Sequence, residues 1–226
     1  LVSATYVWAR FDDASYHAAS LNGMGPGPFW HSVPAQVLHV DDLPYAIDEQ
    51  GDFAVFDVRL PVARRISSAP GVDEPVSMHG DGTHVAVVHG PEADRQVTIY
   101  DVSDQENPFA TETVRIRGAR HALVLDGQIY VTSVHDGVYR FSLDGAFLSR
   151  VLWRVFWARK TVLWHDRLIL VARAAIYSLD PDLERGPSLG FRDVNVRDAA
   201  VTPSGHLVVV AEGDASHLYV IAPPDC

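Results

Sequence analysis

The sequence has one cysteine, Cys226, and one lysine, Lys160. A single cysteine can build neither a disulfide framework within the chain nor a cysteine-based metal or haem site, so both are excluded. No apolar run approaches the roughly 18 residues that a membrane-spanning helix needs. These absences predict a chain without a transmembrane segment. They leave the role of Cys226 open.

Basic residues are also few. The chain has 18 Lys and Arg residues against 29 Asp and Glu residues, which gives a formal net charge of −11. The field of such a molecule repels a phosphate backbone, so no nucleic-acid partner is expected. Hydrophobic residues make up 47% of the chain and charged residues 21%, proportions that exclude a disordered or fibrous protein. An acidic, globular protein is therefore expected.

A repeat runs through most of the chain. A pair made of an apolar and an aromatic residue recurs at intervals of 44, 39, 38 and 42 residues. The pairs are Val55-Phe56, Ile99-Tyr100, Val138-Tyr139, Ile176-Tyr177 and Leu218-Tyr219. Each of the last four follows a turn signal and a short run rich in β-branched residues, a pattern that favours strand over helix.

One repeat shows the internal order of the unit. Its pattern predicts four strands, over residues 121–125, 128–134, 137–142 and 147–153. Four strands in a unit of about 40 residues are typical of a propeller blade. A single four-stranded sheet cannot bury both of its faces, so neighbouring blades must cover one another. The sequence therefore predicts an all-β fold, a β-propeller of four-stranded blades.

The repeats predict a single domain over residues 1–226 with about five blades. Their approximate bounds are 31–70, 71–118, 119–156, 157–193 and 194–226. The last unit stops after its third strand, and residues 1–11 could supply the missing outer strand and close the ring, with a loop up to residue 30. The alternative is that residues 1–30 are part of another blade. The chain would then belong to a larger ring completed by another chain or segment.

A short motif suggests a family. Tyr100-Asp101-Val102-Ser103-Asp104, followed by Pro108, resembles the turn "YDVSDPxxP" of bacterial propeller repeats of the LVIVD type, with Gln105 where that family usually has proline. The segments Phe56-Asp57-Val58 and Tyr177–Pro181 resemble parts of the same motif. The resemblance implies a secreted, periplasmic or cell-surface protein that binds or scaffolds other subunits. It supplies no catalytic residues. Read locally, Asp101 and Ser103 are expected to hydrogen-bond backbone amides and build the turn.

The sequence gives little support for a metal site or for catalysis. His79, His84 and His89 lie close in sequence. His84 and His89 are an odd number of residues apart on one strand and so point to opposite faces, whereas His79 and His84 lie across a turn and could approach each other. A zinc site needs three or four ligands, and we therefore predict no metal and no cofactor. Nucleophile motifs and phosphate-binding glycine loops are missing. A non-catalytic role is favoured, the alternative being a hydrolase or lyase with a loop-borne site at the axial channel.

The most unusual segment lacks acidic residues. No Asp or Glu lies between Asp144 and Asp166, although the segment is rich in Arg and Trp. Arginine and aromatic residues are enriched at the energetic centres of protein interfaces. If residues 151–157 form one strand, Val151 and Trp157 share a face. We therefore predict a protein-binding patch formed by Arg150, Trp153, Arg154, Trp157, Arg159, Lys160 and Trp164. The alternative is a purely structural role, in which one face of the strand packs on the neighbouring blade and the arginines are exposed to solvent.

Overall fold

A computed structural model describes residues 6–10, 16–20, 26–30, 36–40, 43–47, 51–57, 64–152, 157–202 and 204–223. These residues form 22 β strands and one short 3-10 helix, Glu92–Asp94, and they contain no α helix. Within the same ranges, no helical element has the length and apolarity to cross a bilayer. The predicted all-β fold is confirmed.

The strands form six sheets, and each sheet uses strands that are consecutive in the chain. The first sheet contains β1 (Tyr6–Arg10), β2 (Tyr16–Ser20) and β3 (Pro26–Trp30). The second contains β4 (Gln36–Val40), β5 (Leu43–Ile47), β6 (Phe53–Asp57) and β7 (Arg64–Ala69). The third contains β8 (Ser77–Gly80), β9 (His84–His89), β10 (Gln96–Asp101) and β11 (Phe109–Arg115).

The remaining strands form three further sheets with the same order. The fourth contains β12 (Ala119–Leu125), β13 (Gln128–Ser133), β14 (Gly137–Ser142) and β15 (Phe147–Leu152). The fifth contains β16 (Ala158–Trp164), β17 (Arg167–Ala172), β18 (Ala175–Leu179) and β19 (Arg185–Gly190). The sixth contains β20 (Asn195–Val201), β21 (Leu207–Glu212) and β22 (Ser216–Ile221). Strand neighbours in these three sheets pair antiparallel.

The N-terminal strand differs from the expectation that it closes the last blade. Strand β1 pairs with β2, with Tyr6 opposite Ser20 and Arg10 opposite Tyr16. Among the described residues the sixth sheet has three strands, and β1 is not one of them. Only five residues separate β1 from β2 in the sequence, so pairing them costs far less loop-closure entropy than pairing β1 with the distant β22.

The chain divides into two compact units. One consists of Leu1–Gly90 and Thr98–Thr113, and the other of Pro91–Val97 and Val114–Cys226. In the first unit, Phe53 stacks on Tyr100 with ring centroids 4.2 Å apart, and the hydroxyl of Tyr100 donates to the carbonyl of Pro70 at 2.9 Å. These residues belong to a buried cluster that also contains Val85 and Val87 of β9.

In the second unit, apolar side chains pack between successive sheets. Tyr130 of β13 lies in one buried cluster with Leu168 and Leu170 of β17. Ile169 and Val171, on the opposite face of β17, lie in the next cluster with Val209 of β21. Strand β17 is thus covered on both faces, which explains its continuous apolar sequence.

The motif residues Asp101 and Asp104 build the turn that the sequence predicts. The carboxylate of Asp101 accepts from the backbone nitrogen of Ser103 at 2.9 Å and from its hydroxyl at 2.6 Å. Asp104 accepts from the backbone nitrogen of Glu106 at 3.0 Å and from the side-chain amide of Asn107 at 2.8 Å. These hydrogen bonds to the charged form lower the pKa of both Asp101 and Asp104. The motif is therefore accounted for by turn structure.

The first strands of the last three sheets share one irregularity. In β12, Ala119 is opposite Ser133 and His121 is opposite Thr132, so Arg120 has no partner in the register. The same shift leaves out Arg159 between Ala158 and Lys160 in β16. It leaves out Arg197 between Val196 and Asp198 in β20. Each arginine is the extra residue of a β-bulge, a device that redirects a side chain.

Candidate functional site

A pocket lies where these three bulges meet. Strand β16 contacts β12 on one side and β20 on the other, which brings the three arginines to one place. The pocket has a volume of about 370 Å³. It is lined by Arg120, His121, Val134, Trp157, Ala158, Arg159, Lys160, Arg197 and Asp198. We call it the arginine pocket.

Three of the four cations that line the arginine pocket are paired with carboxylates. Arg120 donates to Glu92 at 2.7 Å, and Lys160 donates to Asp198 at 2.9 Å. Arg197 donates through Nε to Glu212 at 2.6 Å. These pairs hold the three side chains in place. They also neutralise three of the four positive charges.

Arg159 is the exception. Its Nε is buried and has no hydrogen-bond partner, and no ion pair involves its guanidinium in the part of the chain that the structure describes. Burial, followed by the positive charges of Arg197, Arg173 and Arg120, lowers the pKa of Arg159. A buried donor without a partner is costly, and a cation among cations adds to that cost. This arrangement favours an added anion.

Trp157 stands at the edge of the arginine pocket in an unusual conformation. It is 54% exposed, and its φ of 77° lies in the left-handed region. The equivalent residue of the fourth sheet is Gly118, which also lies two positions before the bulge arginine, and its φ is a similar 67°. Glycine adopts this conformation at little cost, whereas an L side chain loses about 1–2 kcal/mol there. Strained backbone conformations cluster at functional sites, and Trp157 is therefore a candidate member of this one.

The predicted patch is divided by the structure. Trp157, Arg159 and Lys160 line the arginine pocket. Arg150 lies on β15 opposite Tyr139, is exposed, and does not line it. Trp153 and Arg154 lie outside the described residues, so their part in the predicted patch stays a prediction.

The assumption of one strand over residues 151–157 is wrong for Trp157. Val151 belongs to β15, which ends at Leu152, whereas Trp157 is the turn residue before β16. The left-handed φ of Trp157 is incompatible with an extended strand. The two residues therefore do not share a strand face.

Trp164 lines a second, apolar pocket of about 330 Å³. Its indole nitrogen donates to the carbonyl of Gly205 at 2.7 Å, and Ile169, Ile176 and Ile221 form part of the wall. The indole is half-buried and its polar atom is already paired. This pocket therefore joins two sheets through packing, whereas the arginine pocket gathers charged groups.

The histidines near turns have structural roles. His84 donates its backbone nitrogen to Asp81 at 2.8 Å, and its ring Nδ1 lies 3.0 Å from the hydroxyl of Thr83. His206 repeats this arrangement, with its ring Nδ1 3.0 Å from the hydroxyl of Ser204. Both side chains are used in the turn that precedes a buried strand.

Sequence reasoning missed Arg120 and Arg197. The available signal was a triplet made of a small apolar residue, arginine and a polar residue, at positions 119–121, 158–160 and 196–198. Its arginines are 39 and 38 residues apart, close to the spacing of the aromatic marks. The register shift that makes these residues converge cannot be read from the triplet alone.

Comparison with known proteins shows the fold. No protein-family model matches the sequence, and no curated protein matches it either. Among solved structures, it is similar to the computationally designed protein Ika8, with a TM-score of 0.69 and 9% identity over 98% of this chain and 69% of that one. The WD40 β-propeller domain of Doa1 gives a TM-score of 0.68 and 10% identity over 97% and 75%.

The CNH domain of AfRom2 is also similar, with a TM-score of 0.60 and 8% identity over 98% of this chain and 84% of that domain. At such low identity these likenesses concern the fold alone. They show that the chain has a β-propeller fold.

Proposed function

We propose that this chain is a non-catalytic binding module, and that it binds an acidic segment of a partner protein at the arginine pocket. The observation that carries the proposal is Arg159, whose buried Nε has no hydrogen-bond partner and whose guanidinium has no ion pair among the described residues, in a pocket that Arg120 and Arg197 also line. The whole molecule has a net charge of −11, so this concentration of positive charge is local. A local positive site gives an acidic partner both a direction of approach and a place to bind.

Trp157 supports the same proposal. More than half of its surface is exposed, although an indole contributes most when it is buried against a partner. Next to Arg159 it offers an apolar face beside a cation. A peptide with an acidic residue and a neighbouring apolar residue would satisfy both groups.

We further propose that the module acts outside the cytoplasm, as a subunit of an envelope or secreted assembly. The support for this location is the likeness of Tyr100–Pro108 to LVIVD-type repeats. Fractionation of cells that express the native gene tests it. Recovery of the protein from the cytoplasm alone would contradict it.

A direct binding experiment tests the proposed partner chemistry. Fluorescence anisotropy of a short, labelled, glutamate-rich peptide is measured at low ionic strength with the wild type and with Arg159→Gln. We expect saturable binding by the wild type and an affinity about tenfold or more lower for the variant, because a charge-assisted hydrogen-bonding group is removed.

The matched control is Arg192→Gln, which removes the same charge from an exposed residue that does not line the arginine pocket. This variant should bind the peptide as the wild type does, and circular dichroism should show all three proteins folded. An equal loss of affinity in both variants, or no saturable binding by the wild type, would contradict the proposal.

A further inference from the structure

The charges around Arg159 indicate more than a general preference for acidic partners. Four cations line the arginine pocket, and three carboxylates, Glu92, Asp198 and Glu212, pair with three of them. Arg173 is a fifth cation whose charge acts on Arg159, and its Nε donates to the neutral side chain of Asn195 at 2.6 Å. Five positive and three negative charges leave an excess of two.

We infer that the arginine pocket binds a phosphate monoester group as its dianion. A phosphate monoester has a charge of about −1.5 to −2 near neutral pH and three strong acceptor oxygens. A single carboxylate would neutralise half of the excess charge. The inference rests on the proposed function and names the chemical group that the partner presents.

The geometry of the donors fits such a group. The three arginines come from three different strands at the same bulge position, and all three line one pocket. A tetrahedral group with several acceptor oxygens can use donors from several directions, whereas a planar carboxylate is best matched by one planar fork. Of these three arginines that line the pocket, Arg159 is the one whose guanidinium has no ion pair among the described residues.

The site is also pre-organised. Arg120 and Arg197 are each held by a glutamate, and Lys160 is held by Asp198. Because these ion pairs exist before the ligand binds, less side-chain entropy is lost on binding. Arg159 remains as the cation with no competing carboxylate in the described part of the chain.

Two ligand forms share this chemistry, free inorganic phosphate and a phosphorylated side chain, and one titration series separates them. Binding of three peptides that differ at one residue, phosphoserine, serine or glutamate, is measured by isothermal titration calorimetry, together with binding of inorganic phosphate and of acetate at constant ionic strength. We expect the phosphoserine peptide to bind about tenfold or more tightly than the glutamate peptide, because two charges are neutralised in place of one.

The variants locate the effect. Arg159→Gln should lower the affinity for the phosphoserine peptide and for inorganic phosphate by about tenfold or more, and Arg159→Lys should restore only part of it, because lysine keeps the charge but loses the planar fork. Arg192→Gln should bind both ligands as the wild type does. If inorganic phosphate binds as tightly as the phosphopeptide, the ligand is the free ion, and the inference that the partner presents a monoester is overturned. Tighter binding of the phosphopeptide supports it.

Equal affinities for the phosphoserine and glutamate peptides would overturn the phosphate inference and leave the acidic-partner proposal intact. An Arg159→Gln variant that binds phosphate like the wild type would place any phosphate elsewhere and also overturn the inference. If neither acidic peptide binds to the wild type, both proposals fail. The two proposals are thus refuted by different results.

Discussion

A hydrogen bond between two buried hydroxyl groups joins two sheets of the second unit, and its contribution to stability should be measurable as a coupling energy in a double-mutant cycle. Thr132 of β13 and Thr161 of β16 are both fully buried, and their Oγ1 atoms are 2.7 Å apart. Valine has nearly the shape of threonine but no hydroxyl, so Thr161→Val leaves the hydroxyl of Thr132 buried without this partner. A buried polar group that loses its hydrogen bond costs about 1–3 kcal/mol.

The expected loss in the free energy of unfolding is therefore about 2 kcal/mol for Thr161→Val, and it should be similar for Thr132→Val. In a chain of this length such a loss lowers the melting temperature by about 4–8 °C. The double variant removes both hydroxyls and leaves no unpaired polar group, so its stability should be close to that of the wild type. The expected coupling energy, which is the loss in the double variant minus the sum of the two single losses, is thus about 4 kcal/mol in magnitude.

Urea unfolding followed by tryptophan fluorescence provides the four free energies of this cycle. If the decrease in the free energy of unfolding of the double variant equalled the sum of the two single decreases, the hydrogen bond would be refuted as the cause. The pair matters for the site because Thr161 lies two residues after Arg159 on the same strand. It therefore fixes the strand that presents this arginine.

Two further results are expected. Trp157→Gly should be more stable than Trp157→Ala by about 1 kcal/mol in urea unfolding, because both lose the indole but only glycine relieves the left-handed φ; equal stabilities would show that the conformation is not strained. Burial raises the pKa of Tyr100 to about 12. Since the unfolded value is about 10, the stability from its protonated form is complete below pH 10 and is lost as the pH rises towards 12, by about 2 kcal/mol at about pH 11.5. Tyr100→Phe should remove this part of the pH dependence when unfolding is measured at about pH 9 and 11.5, and an unchanged dependence would contradict the assignment.

The strands could be predicted closely from the sequence because their signals are local. The strand predicted over residues 137–142 matches β14, and the one predicted over 128–134 differs from β13 by one residue. Turn residues and alternating apolar side chains mark each strand within a few positions. The turn at Asp101 was predictable for the same reason, since its hydrogen bonds join near neighbours.

The site was only partly predictable because it depends on non-local geometry. The acid-free segment pointed to Trp157, Arg159 and Lys160, but composition cannot show that Arg120 and Arg197 join them. A bulge breaks the period of two on which strand-face arguments rest, so alternation assigns the wrong direction to the residues around it. To predict that the three arginines converge, one must also know the order in which the three sheets pack against one another.

The repeated bulge has a consequence for how this scaffold can change its ligand. Arg120, Arg159 and Arg197 occupy positions outside the regular strand register, so a different side chain there need not alter which backbone groups pair. Three single-residue replacements could therefore convert the proposed anion site into a neutral or cation-selective one on an unchanged framework. The same three positions offer protein engineers a small combinatorial library, in which selectivity can be varied separately from folding.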